Sequence, residues 1–424
     1  MPIFNWFEIY SSDNGITPIT EGGFLLEKQI KVKVHNLTKI FGSHQAEAIK
    51  LLQQGQSKAD ILEKTGATVG VNRANFSVEA GEIFVIMGLS GSGKSTLVRM
   101  LNRLINPTRG EVYIDGENIM RLNKKQLRQL RQQKISMVFQ NFALFPNMTV
   151  LENAGYGLEV QGLDAQTRNK KAHAALELVH LHGYDDQYPN QLSGGMQQRV
   201  GLARALANDA QILLMDEAFS ALDPLNRKDM QDQLLDIQEK MHKTIIFISH
   251  DLNEALRIGD HILIMHDGTI DQIGDPETIL TNPANDYVKR FIEDVDRTKA
   301  LTVKSVMTTA DTININKTGP RVALRRMRAN DISSIYVVDD EHRFVGFLDS
   351  DDVANLIRKG SKDLKSIMKT DVPTTGPDVL ISDLMDKISH TPIPYAVLDD
   401  QHHLLGIILR GSVLAAIAGE EVDK

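Results

Sequence analysis

The sequence predicts an α/β domain built on a buried, largely parallel sheet, followed by a smaller α+β unit that occurs twice. Three observations point there. Strand-sized apolar runs alternate with helix-like stretches over residues 31–290, as in sheets covered by helices on both faces. A glycine-rich segment joins one such run, residues 82–87, to a helix that starts at Lys94. Beyond Leu301 two segments resemble each other, with Asp340 and Asp400, and Gly346 and Gly406, each 60 residues apart. Self-similarity at a fixed period marks a duplicated supersecondary unit.

The elements follow in order. Residues 1–30 read as an extension, either poorly ordered or a short docking segment around Phe4, Trp6, Phe7 and Tyr10. Residues 44–65 interrupt the α/β domain with apolar residues at helical spacing, Ile49, Leu52, Ile61 and Leu62, and with Ser57 and Asp60 placed as a capping box. One or two short helices are expected there. Residues 291–300 read as a charged linker, helical over 290–299. The duplicated units occupy 301–360 and 361–419, each a helix, two strands and a closing helix, before a tail at 420–424.

Composition narrows the class. Hydrophobic residues are 42% and charged residues 24%, values ordinary for globular domains. There is no cysteine, so thiolate metal sites and disulfides are excluded. A net charge of -8 argues against a general nucleic-acid binder. No run of about 18 apolar residues appears, so a membrane role has to come through a partner.

The chemistry begins at Gly88-Leu89-Ser90-Gly91-Ser92-Gly93-Lys94-Ser95-Thr96, a complete phosphate-loop pattern between strand and helix. The glycines let backbone N–H groups approach phosphate. The helix N-terminus favours an anion. Lys94 brings a point charge to the β- and γ-phosphates, and Ser95 a hydroxyl to Mg²⁺. The strand 212–215 ends in Asp216 and Glu217. Asp216 suits Mg²⁺, and Glu217 suits a general base on the attacking water.

Leu192-Ser193-Gly194-Gly195-Met196-Gln197-Gln198-Arg199 resembles the signature motif of ABC-transporter ATPases. The resemblance implies an ABC-type P-loop NTPase domain in which Ser193, Gly194, Gly195 and Gln197 contact the ATP held by a second copy of the chain. It also implies that Gln140 touches Mg²⁺ and water, that Asp223 lies in a dimer-interface loop, that His250 contacts the γ-phosphate, and that Phe41 stacks on adenine. The apolar segment 142–146 would receive a coupling helix of a membrane subunit, or else pack in the core.

The helical insertion, the segments 65–71 and 254–260, and the C-terminal duplication occur together in the ATPases of glycine betaine/proline-type osmoprotectant importers, which this chain resembles over residues 31–418. The duplication resembles tandem CBS modules. That resemblance implies ATP and Mg²⁺ as cofactors and a peripheral position at the cytoplasmic face of the cell membrane. The partners implied are permease subunits carrying or joined by a substrate-binding domain. Carnitine, choline or proline stand as alternative cargo, and a soluble non-transport ABC ATPase as the rival function. Regulation is expected through ionic strength at an anionic membrane surface, through cyclic di-AMP, or both. Arg321, Arg325 and Arg326, with Arg328, form either a solvated face or an electrostatic switch, and Tyr336 and Tyr395 either stack on adenines or belong to the core. The nucleotide element usual in CBS modules is altered: Asp349 stands where a hydroxyl is expected, and the second copy, with Leu409 and Ser412, loses both polar positions.

Overall fold

The structure, a computed structural model, describes residues 29–418 except 141, 221, 294 and 392. The expected extension up to residue 28 and the tail at 420–424 lie outside the described residues. β1 (Ile30–Phe41) leads into α1 (Gln45–Gln53) and α2 (Lys58–Thr65) and returns as β2 (Thr68–Glu79). β3 (Ile83–Met87) passes through the glycine-rich loop into α3 (Lys94–Leu101). β4 (Arg109–Ile114), β5 (Glu117–Asn118), α4 (Lys124–Gln133) and β6 (Ile135–Val138) follow. A helical block of α5 (Val150–Val160), α6 (Ala165–Leu178) and α7 (Gly194–Ala207) precedes β7 (Ile212–Asp216), α8 (Pro224–Met241), β8 (Thr244–Ile248) and α9 (Leu252–Ile258). The hairpin of β9 (His261–His266) and β10 (Thr269–Gly274), then α10 (Pro276–Thr281) and α11 (Asp286–Phe291), close the domain.

The central sheet has the order β10-β9-β3-β8-β7-β6 and is parallel apart from β10. An antiparallel sheet, β2-β1-β4-β5, packs beside it. Pleating divides each central strand between two cores. Ile83, Val85 and Met87 face the helical block, while Phe84 and Ile86 face α3 and the antiparallel sheet. β3, β7 and β8 are therefore apolar on both faces, which is why they read as continuous runs.

The insertion forms the two expected helices. Phe41 pairs with Thr68 across its base, so the excursion begins and ends at one point of the sheet. Ser57 Oγ accepts from Asp60 N–H at 3.1 Å, and Asp60 accepts from Ser57 N–H at 3.2 Å. Ser57→Ala is expected to cost the start of α2 about 1 kcal/mol. Amide exchange at residues 58–62 should then be about fivefold faster, and unchanged protection would count against the cap.

The linker corrects the expectation of one helix over 290–299. α11 stops at Phe291, and a 3₁₀ turn (Arg297–Lys299) follows. Ile292 and Ala300 are buried in the α/β core while Leu301 and Val303 enter the C-terminal core, so the chain bends to bury both ends.

The first C-terminal unit comprises α12 (Val303–Val306), β11 (Thr312–Asn314), α13 (Pro320–Ala329), β12 (Ser334–Val338), β13 (Phe344–Asp349) and α14 (Ser350–Arg358). The second comprises a 3₁₀ turn (Leu364–Ile367), β14 (Thr374–Thr375), α15 (Ile381–His390), β15 (Tyr395–Leu398), β16 (Leu404–Ile408) and α16 (Arg410–Ala418). Each unit therefore has a strand, β11 or β14, that the sequence reading lacked; two or three residues are too few to show periodicity.

The units exchange their leading segments. Leu301, Val303 and Val306 pack in the core of the second unit, and Leu364 in the core of the first. Thr308 and Ile407 exchange backbone hydrogen bonds at 2.9 Å, as Phe347 and Lys369 do at 2.9 and 3.0 Å. A Cβ on Gly346 would lie 2.6 Å from Lys369 O, and one on Gly406 2.7 Å from Thr308 O. The repeated glycines are thus explained by a crossing backbone, and Asp349 by capping α14 through Asp351 N–H at 2.9 Å.

The two tyrosines resolve to core. Tyr336 is 3% exposed and donates to Pro394 O at 2.8 Å, and Tyr395 is 8% exposed among Ile381, Ile388 and Val413. With both rings enclosed, neither offers a face to adenine, which corrects that alternative. Arg321, Arg325, Arg326 and Arg328 are exposed on α13, with Arg326 3.9 Å from Asp311.

Candidate nucleotide site

The phosphate loop is shaped by backbone crowding. Gly88 has φ +142°, and a Cβ there would lie 2.2 Å from Met265 O; at Gly93, φ +108°, it would lie 2.3 Å from Gly70 O. Only glycine fits either place. The β9–β10 turn holds the loop from outside: Gly268 N–H donates to Ser92 O at 2.9 Å, and Asn72 N–H to Gly268 O at 2.7 Å. This clamp was not read from the sequence, because β9 lies more than 160 residues downstream of the loop it holds.

Several features fit a triphosphate. Ser92 Oγ is buried with no hydrogen-bond partner among the described residues, and a buried hydroxyl of that kind calls for one. Ser90 and Gly91 are exposed at the mouth of the loop, while Ser95 and Thr96 begin α3. Lys94 is 6% exposed, and its Nζ donates to Gly88 O at 2.8 Å and to Leu89 O at 3.2 Å. Burial pushes its ammonium below the usual lysine range, while Glu217 and Asp216 pull it back. The side chain is thereby folded back over the loop.

Ser95 Oγ donates to Asp216 Oδ1 at 2.9 Å, which brings the two expected Mg²⁺ donors together from α3 and β7. Among the described residues no cluster of three His, Asp or Glu could hold a metal unaided. One carboxylate and one hydroxyl suit Mg²⁺, which completes its octahedron with water and phosphate oxygens. Asp216 also accepts from Arg99 Nη2 at 3.0 Å. Arg99 was missed by sequence reasoning; its signal is its place four residues after Ser95, on the same face of α3.

Glu217 has φ +48°, an unfavourable backbone conformation for a side chain of its size. Ser220 holds it there: its N–H and Oγ both reach Glu217 O, at 3.2 and 2.9 Å. The twist turns the carboxylate toward Gln140 Nε2, which donates to it at 3.0 Å, and toward His250 Nδ1 at 3.9 Å. Strand ends of β6, β7 and β8 thus bring Gln140, Glu217 and His250 into one group.

Phe41 stays beside the loop despite the insertion. A Cβ on Gly70 would lie 2.8 Å from its ring and 3.4 Å from Thr96. The ring is beside the phosphate loop, 39% exposed, with Lys39 Nζ 5.0 Å from its centroid.

The remaining predicted residues sit apart from this cluster. Ser193 caps α7, accepting from Met196 N–H at 3.3 Å, with Gly194 exposed and Gly195 and Gln197 half-buried. Asp223 caps α8 and accepts from the Asn226 side chain at 2.6 Å. In the segment 142–146, Phe142, Leu144 and Phe145 are half-buried while Ala143 and Pro146 are exposed. Arg204, on the signature helix α7, donates to the carbonyls of Ala143 and Phe142 at 2.6 and 3.0 Å. The apolar segment after Gln140 is thereby tied to the helix that Ser193 caps.

A glycine cradle with a buried lysine after β3 and a pair of carboxylates at the end of β7 define a P-loop ATPase, and α7 with its capping serine gives it the form of a transporter cassette. The ABC transporter family profile matches residues 71–220, and the CBS domain profile matches 303–359 and 364–419. A glycine betaine/carnitine transport ATP-binding protein (GbuA) of Listeria monocytogenes is 61% identical over 93% of this chain and 99% of its own. The glycine betaine/proline betaine transport system ATP-binding protein (ProV) of Escherichia coli is 47% identical over 93% of this chain and 99% of its own. Among solved structures, a dimeric bacterial ABC transporter cassette (MJ0796) is 33% identical, with a TM-score of 0.50, over 58% of this chain and 98% of its own. The chain belongs to the ABC transporter family, as an ATP-hydrolysing subunit with a C-terminal pair of CBS domains.

Proposed function

We propose that this chain powers import of glycine betaine or a closely related compatible solute across the cytoplasmic membrane. The observation that carries the reading is the 61% identity to a glycine betaine/carnitine subunit over 99% of that protein's length. Among the described residues no helix is long and apolar enough to cross a membrane, so the chain would sit peripherally on permease subunits at the cytoplasmic face. The segment 142–146 supports a docking place there, since apolar side chains and their carbonyls are presented by Arg204 at the end of the signature helix.

Two copies would sandwich two ATP molecules. Each would hold phosphate in its own loop and receive Ser193, Gly194, Gly195 and Gln197 of the other, with Asp223 near the dimer interface. Ser95, Asp216 and Gln140 would hold Mg²⁺, which when bound neutralises charge between the β- and γ-phosphates. Glu217 takes a proton from the attacking water. Lys94 and His250 balance charge on the γ-phosphate, and Phe41 stacks on adenine. Closure around ATP would turn the permease, and hydrolysis would release it.

The CBS pair would bias this cycle. The exposed arginines of α13 support an electrostatic contact with anionic lipid, which salt weakens by screening; cyclic di-AMP is the second candidate regulator. The test is uptake by the reconstituted transporter. ATP-dependent accumulation of labelled glycine betaine, competed by carnitine more than by proline, is the expected result. Sustained hydrolysis with no uptake of any quaternary amine would reject the cargo, and indifference to both salt and cyclic di-AMP would reject the regulation.

A further inference from the structure

Behind the turn that carries His250 lies a buried carboxylate that the hydrolytic site does not use. Glu254, in the first turn of α9, is 7% exposed. It accepts a hydrogen bond from Ser249 Oγ and another from Gln231 Nε2 at 3.0 Å. Burial pushes its carboxyl up, against the pull of those two hydrogen bonds. A carboxylate so enclosed persists only with partners, and the partners here lead to the active site.

Ser249 directly precedes His250 and is 1% exposed. Its hydroxyl, held by Glu254, accepts from Asp251 N–H at 3.0 Å. Asp251 in turn caps α9 through Asn253 N–H at 3.0 Å and meets Arg227 Nη1 at 3.4 Å. The residues on both sides of His250 are therefore fixed from behind, while the imidazole is 56% exposed and stands 3.9 Å from Glu217. Among the described residues no hydrogen bond holds the ring itself, so its aim is set by its neighbours in the chain. On its far side Gln231 accepts from Arg257 Nη1 at 2.9 Å. Arg257 lines a cavity of about 890 Å³ between the α/β domain and the CBS pair, across from Lys304 and Met307.

We propose that Glu254 is a positioning residue for His250: it anchors Ser249 and so sets the turn from which the imidazole reaches the γ-phosphate. The proposal rests on the reading of His250 given above. It distinguishes Glu254 from an ordinary buried acid, because its removal should act through one other side chain.

The test is a cycle of full-length variants, Glu254→Ala, Glu254→Gln, His250→Ala and the double variant Glu254→Ala/His250→Ala, each assayed for ATP hydrolysis. Glu254→Ala should lower kcat about tenfold, as expected for one lost charge-assisted hydrogen bond, with KM for ATP within about twofold. Glu254→Gln should restore most of that rate, since its amide oxygen still accepts from Ser249. In the His250→Ala background, Glu254→Ala should lower kcat no further. Arg257→Ala, whose guanidinium also pairs with Asp232 and reaches Glu254 through Gln231, should lower kcat by less than Glu254→Ala. Should Glu254→Ala fail to fold, Ser249→Ala removes the same hydrogen bond from the other end and takes its place in the cycle. If His250→Ala hydrolyses ATP at the normal rate, the reading of His250 falls and the proposal with it. If His250→Ala is impaired but the two substitutions multiply, or Glu254→Ala has no effect on kcat, only the proposal falls.

Discussion

Glu217→Gln should bind ATP, form the closed dimer and hydrolyse ATP about 10²- to 10⁴-fold more slowly, the contribution expected of a positioned general base. The substitution is nearly isosteric, and Gln140 and Ser220 would still find oxygen acceptors at 3.0 and 2.9 Å. What disappears is the carboxylate that takes the proton. Because the φ of +48° at this position is held by Ser220 and not by the carboxylate, the turn should keep its shape and the variant its stability. Nucleotide binding and phosphate release measured on the same preparation check the separation. Near-normal phosphate release would remove Glu217 from the mechanism.

Lys94→Ala should act at the other end of the reaction, on binding. A charge-assisted hydrogen bond is worth about 1.5–3 kcal/mol, which corresponds to about 10- to 150-fold in ATP affinity. The loss is compounded locally, since the carbonyls of Gly88 and Leu89 lose their buried donor. Titration calorimetry with ATP on the full chain is the measurement. Unchanged affinity would mean that the glycine cradle and helix N-terminus carry phosphate binding alone.

Much of the nucleotide site was legible because its chemistry is local in sequence. Gly88 to Thr96 is one loop and one helix start, and Asp216 with Glu217 is one strand end. The parts that escaped are long-range. Arg99 reaches Asp216 across 117 residues, and the β9–β10 turn clamps Ser92 from 176 residues downstream. Glu254 stands in the sequence only as the first residue of the segment 254–260, and its burial against Ser249 is a product of folding. In the C-terminal pair the repeat is plain in the sequence, but the reason Gly346 and Gly406 recur is not: a crossing backbone at Lys369 and Thr308 leaves no room for a side chain. For Tyr336 and Tyr395 the sequence allows ligand or core, and burial places both in the core.

By itself the sequence determined the class of this protein: an α/β cassette that binds and hydrolyses ATP, interrupted by a capped helical insertion and followed by a tandem repeat. Those features depend on residue type and short spacing, which chain order preserves. Only the tertiary structure decided which units share a core, where the linker bends, how Glu217 is twisted toward Gln140 and His250, and what stands behind the His250 turn. Each of these depends on contacts between residues far apart in the chain, and side-chain burial and backbone approach at such contacts exist only once the strands have been placed side by side.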